Sequence, residues 1–504
     1  MTRRGAAGDR RRAASGDSAA ARLILGVPER FMKPFLVFMA AAIALTLFGL
    51  LMVYSSSSVT SLLNESLNNN PAHYLTNQGA YMSIGLVAAA LLCFFDYHQF
   101  KGRFARAALL VSVVLLALVF APQSGQDAYG ASRWVGFGRF TMQPSELVKP
   151  IFVLMGARLL EAYFGTGEIT GRDLTRFGAL GIGVPLLLIL LQPDKGTVAI
   201  IVATLFVMAL LADCPKGILL GLVAVAMAGI IALSVLDSYS RARIVTAWNP
   251  WADPFGDGYQ LIQGFYAFGS GGLLGVGIGM GRQKYSYLPM AHNDFIFAVI
   301  GEECGLLGTL GVLLGFALLL WAGLRIAKNA PDLAGQLIAS GSVTMLVIQL
   351  LLNVTGVIGL FPLSGKPIPF ISYGGSSIIA TLLLVGLVAS VFRQSVRAFS
   401  ENDERRRDWI VSEAGNVWVG QPSEAGEPTS RSQRGASQAA GTTFTVLGGG
   451  QGQEAPRGRS VRDASGRRRI DLGPSASDRL RTRNEGPRVR GARDAGTRGD
   501  RRGR

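Results

Sequence analysis

The sequence is poor in the residues from which metal and disulfide sites are made. Only three cysteines and three histidines are spread through its 504 residues. Cys93, Cys214 and Cys304 lie in or beside apolar runs, so they suggest buried free thiols rather than a disulfide framework. His73, His98 and His292 are too scattered for a zinc site, and no Ser-His-Asp arrangement carries a supporting motif. Charged residues make up 16% of the chain and mean hydropathy is +0.34, although the formal net charge is +16. So apolar an average, with 49 Lys and Arg present, requires the charge to be segregated. That excludes an ordinary soluble enzyme, and it excludes a nucleic-acid binder despite the basic balance. The first thirty residues are basic but lack an adjoining small-residue cleavage site, so no removable signal peptide is expected.

What the sequence does contain is apolar runs close to the ~20 residues a membrane-spanning helix needs. They lie near 34–54, 78–95, 105–122, 147–164, 177–192, 196–212, 216–237, 295–324, 336–360 and 377–396. The expected fold is an all-α polytopic membrane protein of about ten transmembrane helices. The fourth run contains Lys149, Arg158 and Glu161, so it must face protein rather than lipid. The eighth contains Glu302 and Glu303, which places its first turns at the interface or in a cavity.

Lys and Arg favour one alternate set of short connections, and both basic tails join that set. This puts the N- and C-termini in the cytoplasm. Residues 1–33 hold eight basic residues against three acidic ones, and 399–504 hold twenty-one against fourteen. The division is a basic N-terminal extension (1–33), a membrane domain (34–398) with a large outer loop (238–294), and a tail (399–504). The tail is rich in Arg, Gly, Ser and Pro and is expected to be disordered. Its arginine clusters suit partner docking or anionic lipids.

The informative polar residues cluster on the outer connections. Trp134 reads equally as an interfacial belt residue. Gln143-Pro-Ser-Glu146 reads as a helix start, with proline in the first turn. An intramembrane Lys149 calls for a partner carboxylate. Asp194 could simply cap the sixth apolar helix. The run Gly271 to Gly279 lies outside any strand–turn–helix unit, so close backbone packing explains it better than a phosphate cradle. Asp294, beside His292 and Asn293, either caps the eighth helix or is a carboxylate at the membrane–water boundary, tuned for general-base work.

These residues form an ordered set. Arg133-Trp134, Gln143-Pro-Ser-Glu-x-x-Lys149, Gln192-Pro-Asp194, Gly258-Tyr-Gln260, Tyr287-Leu-Pro289, His292-Asn-Asp294, Glu302-Glu303 and Gly365 through Ser377 follow one another along residues 34–398. The pattern resembles the shape, elongation, division and sporulation family of bacterial wall polymerases. Arg282-Gln283-Lys284 makes it more similar to the division branch than to the elongation branch. Three departures stand out. Met290 occupies a position where the family often has Glu, Asn293 one where it often has Thr, and Asn77 one where a basic residue is frequent.

The resemblance implies a peptidoglycan glycosyltransferase that polymerises lipid II on the outer face of the bacterial cytoplasmic membrane, and its division-branch likeness implies placement at the division septum. Asp294 would deprotonate the acceptor sugar's 4-hydroxyl for attack on the donor anomeric carbon. Trp134, Gln143, Lys149 and Asp194 would line the central cavity, with His292 beside the base. Lys366 and Arg133 are candidates for pyrophosphate or saccharide contacts by charge and side. A divalent cation, magnesium or manganese, is conceivable, but one carboxylate without clustered partners does not define a site. Implied partners are lipid II, a class B penicillin-binding transpeptidase, other division proteins and membrane lipids, with no nucleic acid. The rival readings are a flippase for the same lipid-linked precursor, an elongation-type polymerase, and a scaffold working through its tails.

Overall fold

In the computed structural model a helix stands on each of the ten apolar stretches. The structure describes residues 23–24, 27–65, 69–100, 102–120, 125–128, 131–137, 140–236, 238–285, 287–407, 409–411, 417–419, 460–462 and 468–470. The N-terminal extension up to residue 22 and most of the tail predicted to be disordered lie outside these residues. The chain divides into two units, residues 1–421 and 422–504. The second contributes one short hairpin to the description, Ser460–Arg462 with Arg468–Ile470.

In the first unit a small hairpin, β1 (Leu23–Ile24) and β2 (Val27–Pro28), leads into α1 (Glu29–Leu62), α2 (His73–Phe94) and α3 (Arg103–Leu118). A three-stranded antiparallel sheet follows, β3 (Gly125–Ala128), β4 (Ala131–Phe137) and β5 (Phe140–Met142), in the order β3-β4-β5. Next come α4 (Pro144–Leu147), α5 (Lys149–Leu160), α6 (Gly171–Gly178), α7 (Val184–Leu191), α8 (Lys195–Leu211) and α9 (Lys216–Leu236). The long connection after α9 carries α10 (Ser238–Trp248) and α11 (Tyr259–Gly271), and it leads to α12 (Ile296–Lys328), α13 (Leu333–Val357) and α14 (Gly375–Arg407).

Among the described residues, six helices are long and apolar enough to cross a membrane: Glu29–Leu62, His73–Phe94, Gly171–Leu191, Ile296–Lys328, Leu333–Val357 and Gly375–Phe399. Lys195–Leu211 is a shorter apolar helix. α13 is the central post, with Leu337, Ile338, Ala339, Val343, Leu346 and Leu350 all buried. α2 lies outside it and exposes Leu86, Val87, Leu91 and Phe94, a face suited to hydrocarbon rather than water. The cysteines are free, as expected, but half-buried rather than buried.

Two elements overrun the predicted boundaries. α1 continues past residue 54 through the serine run, where Ser56 and Ser57 satisfy their hydroxyls within the helix by donating to the carbonyl of Val53, at 3.3 and 2.6 Å. α14 continues past residue 398 to Arg407, beyond the point where the sequence loses its apolar character.

α12 is broken. Gly305 has φ of 65° and ψ of −162°, which interrupts the ladder inside the helix. The glycine-rich segment fills the break: Val276 and Gly277 donate to the carbonyls of Glu302 and Glu303, both at 3.0 Å, and Leu306 donates to Gly272 at 3.0 Å. A Cβ on Gly275, whose φ is +82°, would lie 2.2 Å from the Glu303 carbonyl oxygen. Gly271 and Gly275 are therefore close-approach positions. Gly275→Val should lower stability by about 3 kcal/mol, read as an earlier unfolding transition of the detergent-solubilised protein.

The paired glutamates beside the break organise the loop that leads to Asp294. Glu302 accepts backbone N–H bonds from Arg282 at 2.7 Å and Gln283 at 3.2 Å. Glu303 accepts from Lys284 Nζ at 2.8 Å, from Ser55 Oγ of α1 at 2.6 Å, and from the Gly279 N–H at 3.0 Å. All four side chains are buried, and every charge has a partner, which is the condition for tolerating them there.

Candidate functional site

A cavity of about 500 Å³, with charged, polar and aromatic side chains on its lining, forms where several connections between helices meet. The sheet supplies Arg133, Trp134 and Thr141, and the start of α4 supplies Gln143 and Glu146. Arg243 of α10, Gln260 of α11 and the segment Pro289 to Asp294 form a second wall. Gly365, Pro367 and the stretch Tyr373 to Ser377 complete it. Of the residues singled out from the sequence, Arg133, Trp134, Gln143 and Asp294 stand on this wall. Lys149, Asp194 and Lys366 lie behind it.

Those three form a buried polar cluster. Asp194 caps α8 by accepting the Thr197 N–H at 3.2 Å, so the capping reading holds. The same carboxylate also takes Ser145 Oγ at 2.7 Å, Gln143 Nε2 at 3.0 Å and Lys366 Nζ at 2.8 Å. Lys149 donates to Glu146 Oε1 and to Gln349 Oε1, both at 2.7 Å, which supplies the partner carboxylate its burial demands. Lys366 lies 3.7 Å from Glu146, joining the two pairs. Two carboxylates face two ammonium groups, so the cluster can be buried without net charge. Burial alone would raise the Asp194 carboxyl, but Lys366, with help from Arg133 and the Ser145 hydroxyl, holds it below the usual carboxylate range.

Asp294 does not cap α12: the cap position belongs to Phe295, and no side chain closes that helix end. Asn353 of α13 fixes the local backbone, donating to the carbonyls of Asp294 and Lys366, both at 2.8 Å. The carboxylate faces Gly365, where a Cβ would sit 3.4 Å from Asp294 Oδ2 and 3.8 Å from Arg243 Nη1. Burial raises the Asp294 carboxyl above its ordinary value, and Arg243 and Lys366 oppose that rise. A carboxylate so placed is a better base than one in open water.

His292 is buried, its ring 4.4 Å from that of Tyr74 and 5.7 Å from that of Tyr373. Burial pushes its imidazole down to about 4, so it is neutral near pH 7. Its carbonyl accepts the Tyr373 N–H at 2.9 Å, tying the two cavity segments together. Arg133 donates to the carbonyls of Gln192 at 3.2 Å and Pro193 at 2.7 Å, which fixes the sheet against the turn before α8. Met290, at the cavity wall, holds φ of 52°, a conformation disfavoured for a side chain of its kind. On the other side of the bundle, His98 is committed to Asp96 and Asp332.

Sequence reasoning missed Arg243, Gln260 and Gln349 as site residues. Gln260 donates to the Pro289 carbonyl at 3.1 Å, and Arg243 Nη1 to the Leu363 carbonyl at 2.8 Å. Gln260 sits in the quoted Gly-Tyr-Gln motif. Arg243 carries no local signal beyond being an arginine in the outer loop. The residues present do not suit a divalent cation: among the described residues no three His, Cys, Asp or Glu side chains converge, and Asp294 faces two cations. No step is therefore routed through a metal.

The family model for FtsW, RodA and SpoVE cell cycle proteins matches residues 35–397. Stage V sporulation protein E of Bacillus subtilis is 36% identical over 364 residues, covering 72% of this chain and 98% of that protein. A probable peptidoglycan glycosyltransferase FtsW of Geobacter metallireducens is 38% identical over 362 residues, covering 71% and 94%. Among solved structures, a chain of a peptidoglycan synthase complex is similar with a TM-score of 0.56 and 30% identity, covering 71% of this chain and 97% of that one. The rod shape determining protein RodA of Thermus thermophilus gives 0.52 and 28%, covering 71% and 96%. The match takes in every cavity residue named above, and the chain belongs to the FtsW, RodA and SpoVE family of cell cycle proteins.

Proposed function

We propose that this chain is a peptidoglycan glycosyltransferase that polymerises lipid II, with Asp294 as the general base. The observation that carries the reading is the position of Asp294: an uncapped, half-buried carboxylate on the wall of a polar cavity, between loops from four parts of the chain. In the step proposed, Asp294 takes the proton of the acceptor's 4-hydroxyl as that oxygen attacks the donor's anomeric carbon. The bond from that carbon to the pyrophosphate oxygen breaks, and the electron pair leaves with undecaprenyl pyrophosphate, whose charge needs a cation rather than a proton. Arg133, Trp134 and Gln143 are placed to contact sugar and phosphate. Lys149, Asp194 and Lys366 hold the wall from behind, and neutral His292 packs the base's loop.

The finer topology belongs to the same proposal: ten spans, both termini cytoplasmic, and a cavity opening to the outer face. The division branch, septal placement and a class B penicillin-binding partner follow from the likeness to FtsW proteins and to a peptidoglycan synthase complex. Purified protein incubated with lipid II, alone and with that partner, should yield glycan chains resolvable by gel. Movement of lipid II across vesicles without any glycan would contradict the reading.

A further inference from the structure

We infer that Arg243 is the positioning residue that keeps Asp294 ionised, and so able to act as a base. The inference rests on Asp294 being the base. A half-buried carboxyl drifts toward its protonated form, which cannot take up the acceptor's proton; a nearby fixed positive charge reverses that. Arg243 meets the requirement geometrically. It reaches the cavity from α10, and its Nη1 is held by the Leu363 carbonyl at 2.8 Å. That places the guanidinium at the same 363–366 turn that Asp294 faces: a Cβ on Gly365 would meet Asp294 Oδ2 at 3.4 Å and Arg243 Nη1 at 3.8 Å. Gly365 has φ of +64°, a conformation that favours glycine, so no side chain of the turn intrudes on the space the two groups share. A guanidinium also stays charged over the whole working pH range.

The other groups around Asp294 do not supply this field as directly. Lys366 shares its charge with Asp194 at 2.8 Å and Glu146 at 3.7 Å. Arg133 and Glu146 also line the cavity and carry opposite signs. His292 on the same loop is neutral near pH 7, and burial pushes the Tyr373 hydroxyl up to about 12. Neither of these two titrates between pH 5 and 8.

The test is the pH dependence of kcat/KM for lipid II polymerisation by the full-length chain, in wild type, Arg243→Gln, Arg243→Lys and Asp294→Asn. Gln keeps a donor for the Leu363 carbonyl but removes the charge. Arg243→Gln should move the acid limb up by about one pH unit, a tenfold loss at low pH, with activity returning above pH 8. Arg243→Lys should retain most of the wild-type profile, and it provides the comparison should the glutamine variant fold poorly. A limb that stays in place in Arg243→Gln, with activity lowered equally at every pH, would overturn the inference. So would a Lys variant with the limb displaced as far as in Gln. Polymerisation by Asp294→Asn would instead overturn the base assignment, whatever Arg243 does.

Discussion

Asp294→Asn should lose polymerisation by about 10³-fold or more while keeping the fold, in the range expected when a general base is removed. Asparagine is isosteric and can keep the backbone bond from Asn353 to the residue 294 carbonyl, which holds the chain in place independently of the side chain. The carboxylate contributes little to the fold: it caps no helix, and its burial raises it above the ordinary carboxyl value. A carboxyl raised on folding opposes folding at the pH where it is ionised, so Asp294→Asn should leave stability unchanged or slightly higher near pH 7. Loss of glycan synthesis with an unshifted or raised unfolding temperature is the expected pair of results. A parallel drop in both would make residue 294 a structural residue.

Lys366→Met should show the reverse pattern, a large loss of stability. The ammonium serves Asp194 and lies near Glu146 in a cluster without solvent. Removing one partner of such a cluster leaves a buried carboxylate uncompensated, at about 3–5 kcal/mol. The pH dependence has a definite sign. Asp194 is held below its unfolded value, so its pairing stabilises the wild type above the ordinary carboxyl range near pH 4. That contribution fades as acid brings the pH down toward the folded value. The gap in unfolding temperature between wild type and Lys366→Met should therefore be widest near neutral pH and narrow on acidification. Lys366→Met combined with Asp194→Asn should recover part of the loss, because the orphaned charge is gone.

Much of this was legible in the sequence because a bilayer imposes strong constraints. An apolar stretch long enough to cross hydrocarbon marks a helix whatever else surrounds it, and every such stretch carries one. The polar residues that form the cavity were visible as exceptions to that apolarity. Their grouping was foreseen, but not their two layers. Lys149 and Asp194 were expected at the cavity by resemblance and Lys366 by charge and side; that all three belong to one buried cluster becomes visible only in the fold. The sheet β3-β4-β5 was missed because its strands are three to seven residues long and are defined by pairing rather than by composition. The break at Gly305 was hidden because the apolar pattern resumes directly after it, while Glu302 and Glu303 before it read as interfacial or cavity positions of one continuous helix. Arg243 was missed because its importance lies in what it faces, a turn more than a hundred residues away.

The most direct measurement of the central claim is the accessibility of position 294 from each side of the membrane. With Cys93, Cys214 and Cys304 replaced by serine, Asp294→Cys and the adjacent Asn293→Cys can be exposed to a membrane-impermeant thiol reagent in intact cells and in inverted vesicles. The account predicts labelling from the outside of intact cells, blocked by prior addition of lipid II. Labelling only in inverted vesicles, from the cytoplasmic side, would contradict it.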